Sequence, residues 1–196
     1  TFTVNDVAQP YEQSMPLYRT GIAVGDYPVD HHHASHPNAA QLPELHFYPV
    51  PSYSVPMGCL IPMNTDNFIV AEKSISVTNI TNGTTRLQPV VLQIGQAAGV
   101  MAALSIQEDI SPAKLGVRKV QSQLLNAGGY LLPYLDVPIN HPRFKAYQRI
   151  GATGILKGTG MNVGWENQTW FFPEKELTQS DLDLSLIHIS EPTRRY

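Results

Sequence analysis

The clearest pattern along the chain is a long apolar run, NGTTRLQPVVLQIGQAAGVMAAL at residues 82–104. Its apolar positions suit one helix from Pro89 to about Ile106, with hydroxyls of Thr84 and Thr85 at its start and Pro89 in a first turn that needs no N–H. Gly95, Ala98, Gly99 and Ala102 fall at i, i+3, i+4 and i+7, a smooth stripe along one face. Glycine inside a helix costs roughly 1 kcal/mol relative to alanine, so the stripe predicts close approach of a strand, another helix or a flat ligand. Gln93 and Gln96 interrupt the run and argue against a membrane span.

Alternation elsewhere is shorter. DNFIVAEKSISV, residues 66–77, carries the best strand signal, an apolar run followed by alternation. LYRTGIAVGDYP, residues 17–28, suits one or two strands with a turn at Gly25-Asp26, and residues 30–51 read as loop with an extended PELHFYPVPSYSVP stretch. A second helix is punctuated by Ser111 as N-cap, Pro112, and Gly128-Gly129 at its stop. A third is predicted from His141 to about Gly151, with Asn140 as N-cap. The remainder is turn-rich with aromatic anchors.

Composition narrows the function classes. The 196 residues carry a formal net charge of −3, which gives no electrostatic case for nucleic acid or an anionic membrane and leaves a small molecule or another protein as partner. A single cysteine, Cys59, excludes an internal disulfide and a thiolate metal cluster, and its apolar neighbours point to burial rather than nucleophilic use. The sixteen prolines, many of them between Pro10 and Pro62, make the first third extended and turn-rich. The chain opens at Thr1 without methionine or a signal-peptide pattern and reads as a piece of something longer; SLIHISEPTRRY at its end reads as a non-native tail of the kind adapter read-through leaves.

Two places carry candidate chemistry. A helix N-terminus presents unpaired N–H groups and about half a positive charge, and Arg86 adds a full one, so the stretch TNITNGTTR leads into a site for something anionic or becoming anionic. His31, His32, His33 and His36 follow Asp30; they could ligate a metal, act as acid/base groups or form a solvated loop. Tyr48, Tyr53 and Trp165 could stack on a sugar or fill core, and no serine sits in a G-x-S-x-G elbow.

The segment VPMGCLIPMNTDNFIVAEKSISVTNITNGTTRLQPVVLQIGQAAGVMAAL, residues 55–104, resembles the C-terminal FAD-binding segment of FAD-dependent oxidoreductases with a glutathione-reductase-like fold. YRTGIAVGDYPVDHHH, residues 18–33, resembles the substrate-domain segment that precedes it. The resemblance implies FAD as cofactor, with Asn67, Ala71, Glu72 and Lys73 along the cofactor strand, and Thr84, Thr85, Arg86, Leu87, Gln88 and Gly95 on the flavin side. There the helix N-terminus would face the pyrimidine end of the flavin, where negative charge gathers on reduction. It also implies Asp30 and His32 at the substrate face, His32 as the base that removes a hydroxyl proton while hydride leaves for the flavin. Glu72-Lys73 stand where the wider family often has glycine-arginine, and no G-x-G-x-x-G follows a strand, so the dinucleotide fingerprint is assigned to a missing N-terminal Rossmann part of the same protein.

A second resemblance covers YLDVPINHPRFKAYQRIGATGILKGTG and WFFPEKELTQSDL, residues 134–182, which look like one S-layer-homology-type unit. Such units normally carry a threonine-arginine pair, whereas Gln179 follows Thr178 here. The expectation is therefore an α/β (α+β) fragment, the C-terminal part of a two-domain FAD-binding fold. Residues 1–62 would be an extended substrate-domain segment, 63–128 the end of the FAD-binding domain, 129–183 a small helical C-terminal unit and 184–196 a non-native tail. The expected reaction is hydride transfer from an alcohol or sugar-like carbon to FAD. A non-enzymatic wall- or glycan-binding module and a metal-loop protein are the alternatives. An uncovered helix face would make the piece poorly soluble alone.

Overall fold

The computed structural model describes residues 1–13, 16–31, 38, 49–163 and 166–179. Its centre is an antiparallel ribbon of β1 (Gly21–Gly25) and β2 (Tyr53–Pro56), with Gly21 opposite Pro56 and Gly25 opposite Tyr53. The ribbon is buried along nearly its whole length, so its residues show no alternation of buried and exposed positions. The helix Val4–Ala8 (α1) precedes it, and residues 17–20, expected as strand, form a 3-10 turn that feeds β1.

Two helices follow the ribbon. The first, α2 (Asn79–Thr85), is capped by Thr78, whose hydroxyl accepts from the Thr81 N–H at 3.3 Å. The second, α3 (Gln88–Glu108), is broken from α2 by Leu87 in an extended conformation. Thr84 and Thr85 are therefore not at the start of the long helix, as expected, but in the last turn of the one before it. α3 lays Val90, Ile94, Ala97, Met101 and Leu104 into the core and ends on Asp109 in the left-handed region. It is long and apolar enough by length and composition to cross a membrane, and here its buried row packs against β1 and α4 (Val117–Asn126).

The strand expected over residues 66–77 is not one. A strand exists by pairing, and this segment finds only scattered partners: the Val70 N–H donates to Leu60 O, the Ser76 N–H to Cys59 O, and Phe2 bridges in parallel to Val77. Its middle turns instead through a 3-10 helix, Glu72–Ser74, with Glu72 at φ 58°. The helix expected after Ser111 is likewise split, a 3-10 turn at Pro112–Lys114 and then α4, because Leu115 is extended before Gly116 caps the new helix.

The last third builds α5 (Phe144–Thr153), starting three residues later than predicted, and a hairpin of β3 (Thr159–Val163) and β4 (Glu166–Trp170). The expected small helical unit is thus half hairpin, because its two five-residue strands, TGMNV and ENQTW, are too short and too polar to show as strands in the sequence. It is stitched to the ribbon: Ser54 Oγ donates to Leu131 O at 2.7 Å, and Ser52 Oγ to Asn167 O at 3.0 Å. Arg118 Nη1 reaches both Arg19 O and Ala152 O. Buried Gln148 accepts from the Leu131 and Leu132 N–H groups and donates to Leu132 O. These bonds make the C-terminal part and the ribbon share one core.

Candidate functional site

The turn between α2 and α3 faces the loop that leaves β1, and there the structure brings Asp30, His31, Arg86 and Thr84 together. Arg86 Nη2 donates to Asp30 O at 3.2 Å and lies 3.8 Å from Asp30 Oδ2, the Asp30 side chain being 11% exposed and that of Arg86 40%. His31 Nε2 lies 2.9 Å from Ile80 O; a carbonyl only accepts, so the ring carries its proton on Nε2. Gly83 makes this approach possible, because a Cβ there would sit 2.7 Å from His31 Nε2 and 2.9 Å from Asp30 O.

Below the turn, Tyr53 and Thr84 form a buried hydroxyl pair at 2.8 Å, and Thr84 Oγ1 also donates to Tyr27 O at 2.5 Å. Burial pushes the Tyr53 hydroxyl well above the ordinary tyrosine range, against the lowering effect of its bond to Thr84, so it remains a neutral phenol. Gln93, in the first two turns of α3, holds the helix start against the ribbon: its amide accepts from Val24 N–H and donates to Val24 O, both at 3.1 Å. No side chain caps the α3 N-terminus, whose first-turn N–H groups and positive dipole end therefore open beside Arg86. The Arg86 Nε is buried with no hydrogen-bond acceptor among the described residues.

The residues expected at the site are placed differently from one another. Asp30 and Arg86 meet as described, and Leu87 and Gln88 form the uncapped helix start, Gln88 exposed. Thr84 and Thr85 are buried with their hydroxyls engaged by the protein, Thr85 donating to Thr81 O at 3.3 Å, so neither presents a side-chain donor outward. Asn67, Glu72 and Lys73 are exposed and Ala71 half-buried, in the segment that runs beside α3. Gly95 is exposed, seven residues along α3 from the turn and with no atom within 4 Å of the position its Cβ would take. His32, His33 and His36, with Tyr48 and Trp165, lie outside the described residues. Among the described residues no group of three His, Cys, Asp or Glu side chains could hold a metal.

Sequence reading missed Gly83, Tyr53 in its role here, and Gln93. Gly83 carried a signal, an isolated glycine within a polar helix-forming stretch, but Gln93 did not, because a single glutamine in an apolar run shows only that one position faces something polar. Cys59 is buried, and desolvation pushes its thiol up to about 12, which fits packing rather than nucleophilic use.

An orphaned buried guanidinium N–H at an uncapped helix start is a fit for an electron-rich ring edge. The family model described as FAD dependent oxidoreductase matches residues 1–124. No curated protein and no solved structure matches the chain.

Proposed function

The chain belongs to the FAD dependent oxidoreductase family, with FAD as its cofactor, and on that premise we propose that it serves hydride transfer from an alcohol or sugar-like carbon. FAD supplies the redox chemistry when bound, as the hydride acceptor. The observation that carries the reading is the buried, acceptor-free Nε of Arg86 beside the uncapped start of α3, donors of the kind that would favour negative charge on a reduced flavin. Asp30 orients that guanidinium through its carbonyl oxygen and carboxylate, Gln93 fixes the helix start through Val24, and Gly83 lets the Asp30 loop lie close. In this reading His32, next to His31 in sequence, takes the hydroxyl proton of the substrate.

Two observations support a glutathione-reductase-like arrangement with a dinucleotide-binding part of the same protein as neighbour. The stripe of α3 is bare, with Gly95, Gly99 and Ala102 exposed, and residues 66–71 carry strand-like apolar side chains without a strand partner among the described residues. The resemblance of residues 134–182 to an S-layer-homology-type unit supports a small C-terminal cap; the Gln148, Ser52 and Ser54 bonds favour a cap fixed to the substrate ribbon over a detached binding module.

The test is the visible spectrum of the whole protein beside its Arg86→Ala variant, with the reduction potential read from each. Flavin bands in the parent and a more negative potential in R86A are expected. A parent without flavin after refolding with FAD, or an unchanged potential in R86A, would remove Arg86 and the helix start from the cofactor site.

A further inference from the structure

Three side-chain bonds hold the segment that leaves β1 against α2. Thr84 Oγ1 donates to Tyr27 O at 2.5 Å, Arg86 Nη2 to Asp30 O at 3.2 Å, and His31 Nε2 to Ile80 O at 2.9 Å. Tyr27 meets Thr84 and His31 meets Ile80, so the segment runs against the direction of the helix, as a strap laid along it. All three acceptors are main-chain carbonyls. The place of the strap on α2 therefore depends on where three side chains point.

Two adjacent threonines differ in what they do with their protons. Thr85 makes the local bond open to any helical threonine, donating to the carbonyl four residues back, Thr81 O, at 3.3 Å. The corresponding carbonyl for Thr84 is Ile80 O, which accepts from His31, and the Thr84 proton leaves the helix for Tyr27 O. A hydroxyl has one proton and a carbonyl only accepts, so the 2.8 Å contact between Tyr53 Oη and Thr84 Oγ1 has Tyr53 as its donor. The result is a directed chain from the Tyr53 hydroxyl to the Thr84 hydroxyl to Tyr27 O. The phenol reaches Thr84 because its ring crosses Gly25, its partner in the ribbon, where a Cβ would lie 2.5 Å from both Cζ and Oη of Tyr53. Tyr53 is 1% exposed, so bulk water does not compete for its proton.

We propose that Tyr53 is a positioning residue of the Arg86 site, holding the strap on α2 through the Thr84 hydroxyl and so setting where Asp30 meets Arg86. Ribbon pairing fixes the phenol, the phenol fixes the direction of the Thr84 proton, and that proton anchors the strap three residues before Asp30. The assignment rests on the flavin reading of Arg86, and Tyr53 acts on the flavin only through that guanidinium. Its removal would leave Arg86 present but less firmly oriented.

Tyr53→Phe and Thr84→Val each break the chain at nearly constant shape, and Thr84→Ser keeps it. In the 196-residue chain, solvent exchange of the His31 Nε2 proton, read by NMR, should quicken about fivefold in Y53F and in T84V, the factor for one hydrogen bond of about 1 kcal/mol. T84S should stay within about twofold of the parent, and so should Gln148→Ala, which removes buried bonds in the C-terminal part. In the whole protein with FAD bound, Y53F should move the reduction potential in the same direction as R86A, by about threefold in the oxidised-to-reduced equilibrium or about 14 mV for a two-electron couple. In an R86A background Y53F should add nothing, because the residue it positions is gone. Parent-like exchange in both Y53F and T84V, equal quickening in Q148A, an unchanged potential in Y53F beside a shifted one in R86A, or a Y53F shift that persists in the R86A background would overturn the assignment and leave the flavin reading standing. An unchanged potential in R86A would overturn the flavin reading instead, and the His31 exchange would still decide whether Tyr53 holds the strap.

Discussion

The two faces of α3 are built from similar residues and have opposite fates. One face sends Ile94, Ala97, Met101 and Leu104 into a core closed by the ribbon and α4, each of them less than 5% exposed. The other shows Leu92 at 74% and Ile106 at 83% exposure, with Gly95 and Gly99 bare between them. An apolar side chain left exposed on a helix gains nothing from burial, so the outer face of α3 is surface that no described residue covers, which supports the second neighbour proposed above.

The sharpest test of that contrast is a matched pair of truncations. Ile94→Ala should cost about 3 kcal/mol in urea unfolding, through lost burial plus the cavity left behind. Leu92→Ala, on the bare face, should change stability by less than about 0.5 kcal/mol. Comparable losses at both positions would mean that the outer face is already covered in solution, and would break the comparison.

The closed side extends across the ribbon into the C-terminal part through Gln148, so the next effect falls there. Gln148→Ala leaves the Leu131 and Leu132 N–H groups and the Leu132 carbonyl without their buried partner and should cost about 2 kcal/mol, with one unfolding transition retained. Two separate transitions would show instead that the C-terminal part folds independently of the ribbon.

How much of this was legible in the sequence depended on whether a feature is local. α3 and the stop at Gly128 were readable, because a helix bonds within itself and its ends are marked by nearby residues. Residues 66–77 were misread, since the same apolar residues make a strand only where another strand pairs with them, and pairing is not written in the segment itself. The meeting of Asp30 and Arg86 lay between these extremes. Each was singled out for its chemistry, yet their contact spans 56 residues of chain and rests on Gly83, which attracted no chemical attention at all.

Alkaline pH probes the closed side selectively, because that is where the ionisable groups are buried. Desolvation raises the Cys59 thiol from 9.0 to about 12, and the Tyr18 hydroxyl from 10.0 to about 12. A folded-state pKa above the unfolded one means that the folded chain keeps its proton longer. The associated stability is complete below pH 9 and falls as pH rises through 9 to 12. Between pH 8 and 10 the thiol makes the largest contribution of any single group and should remove about 1 kcal/mol. Cys59→Ala, compared with the parent at each pH, should flatten the loss over that interval whatever its constant packing cost; an unchanged slope would place the thiol in contact with water.

The smallest effect is the one that separates the two meanings of a bare stripe. Gly99→Ala meets no atom within 4 Å of the new methyl group, so in this chain it should stabilise by about 0.5 to 1 kcal/mol, the helix preference of alanine over glycine. If the stripe exists for close packing against the proposed dinucleotide-binding part, the same methyl group should weaken FAD retention, measured as flavin per chain after gel filtration. A gain in stability here with unchanged retention there would leave the glycines without a packing role. A gain here with a loss there would assign their cost to a surface that only the second neighbour covers.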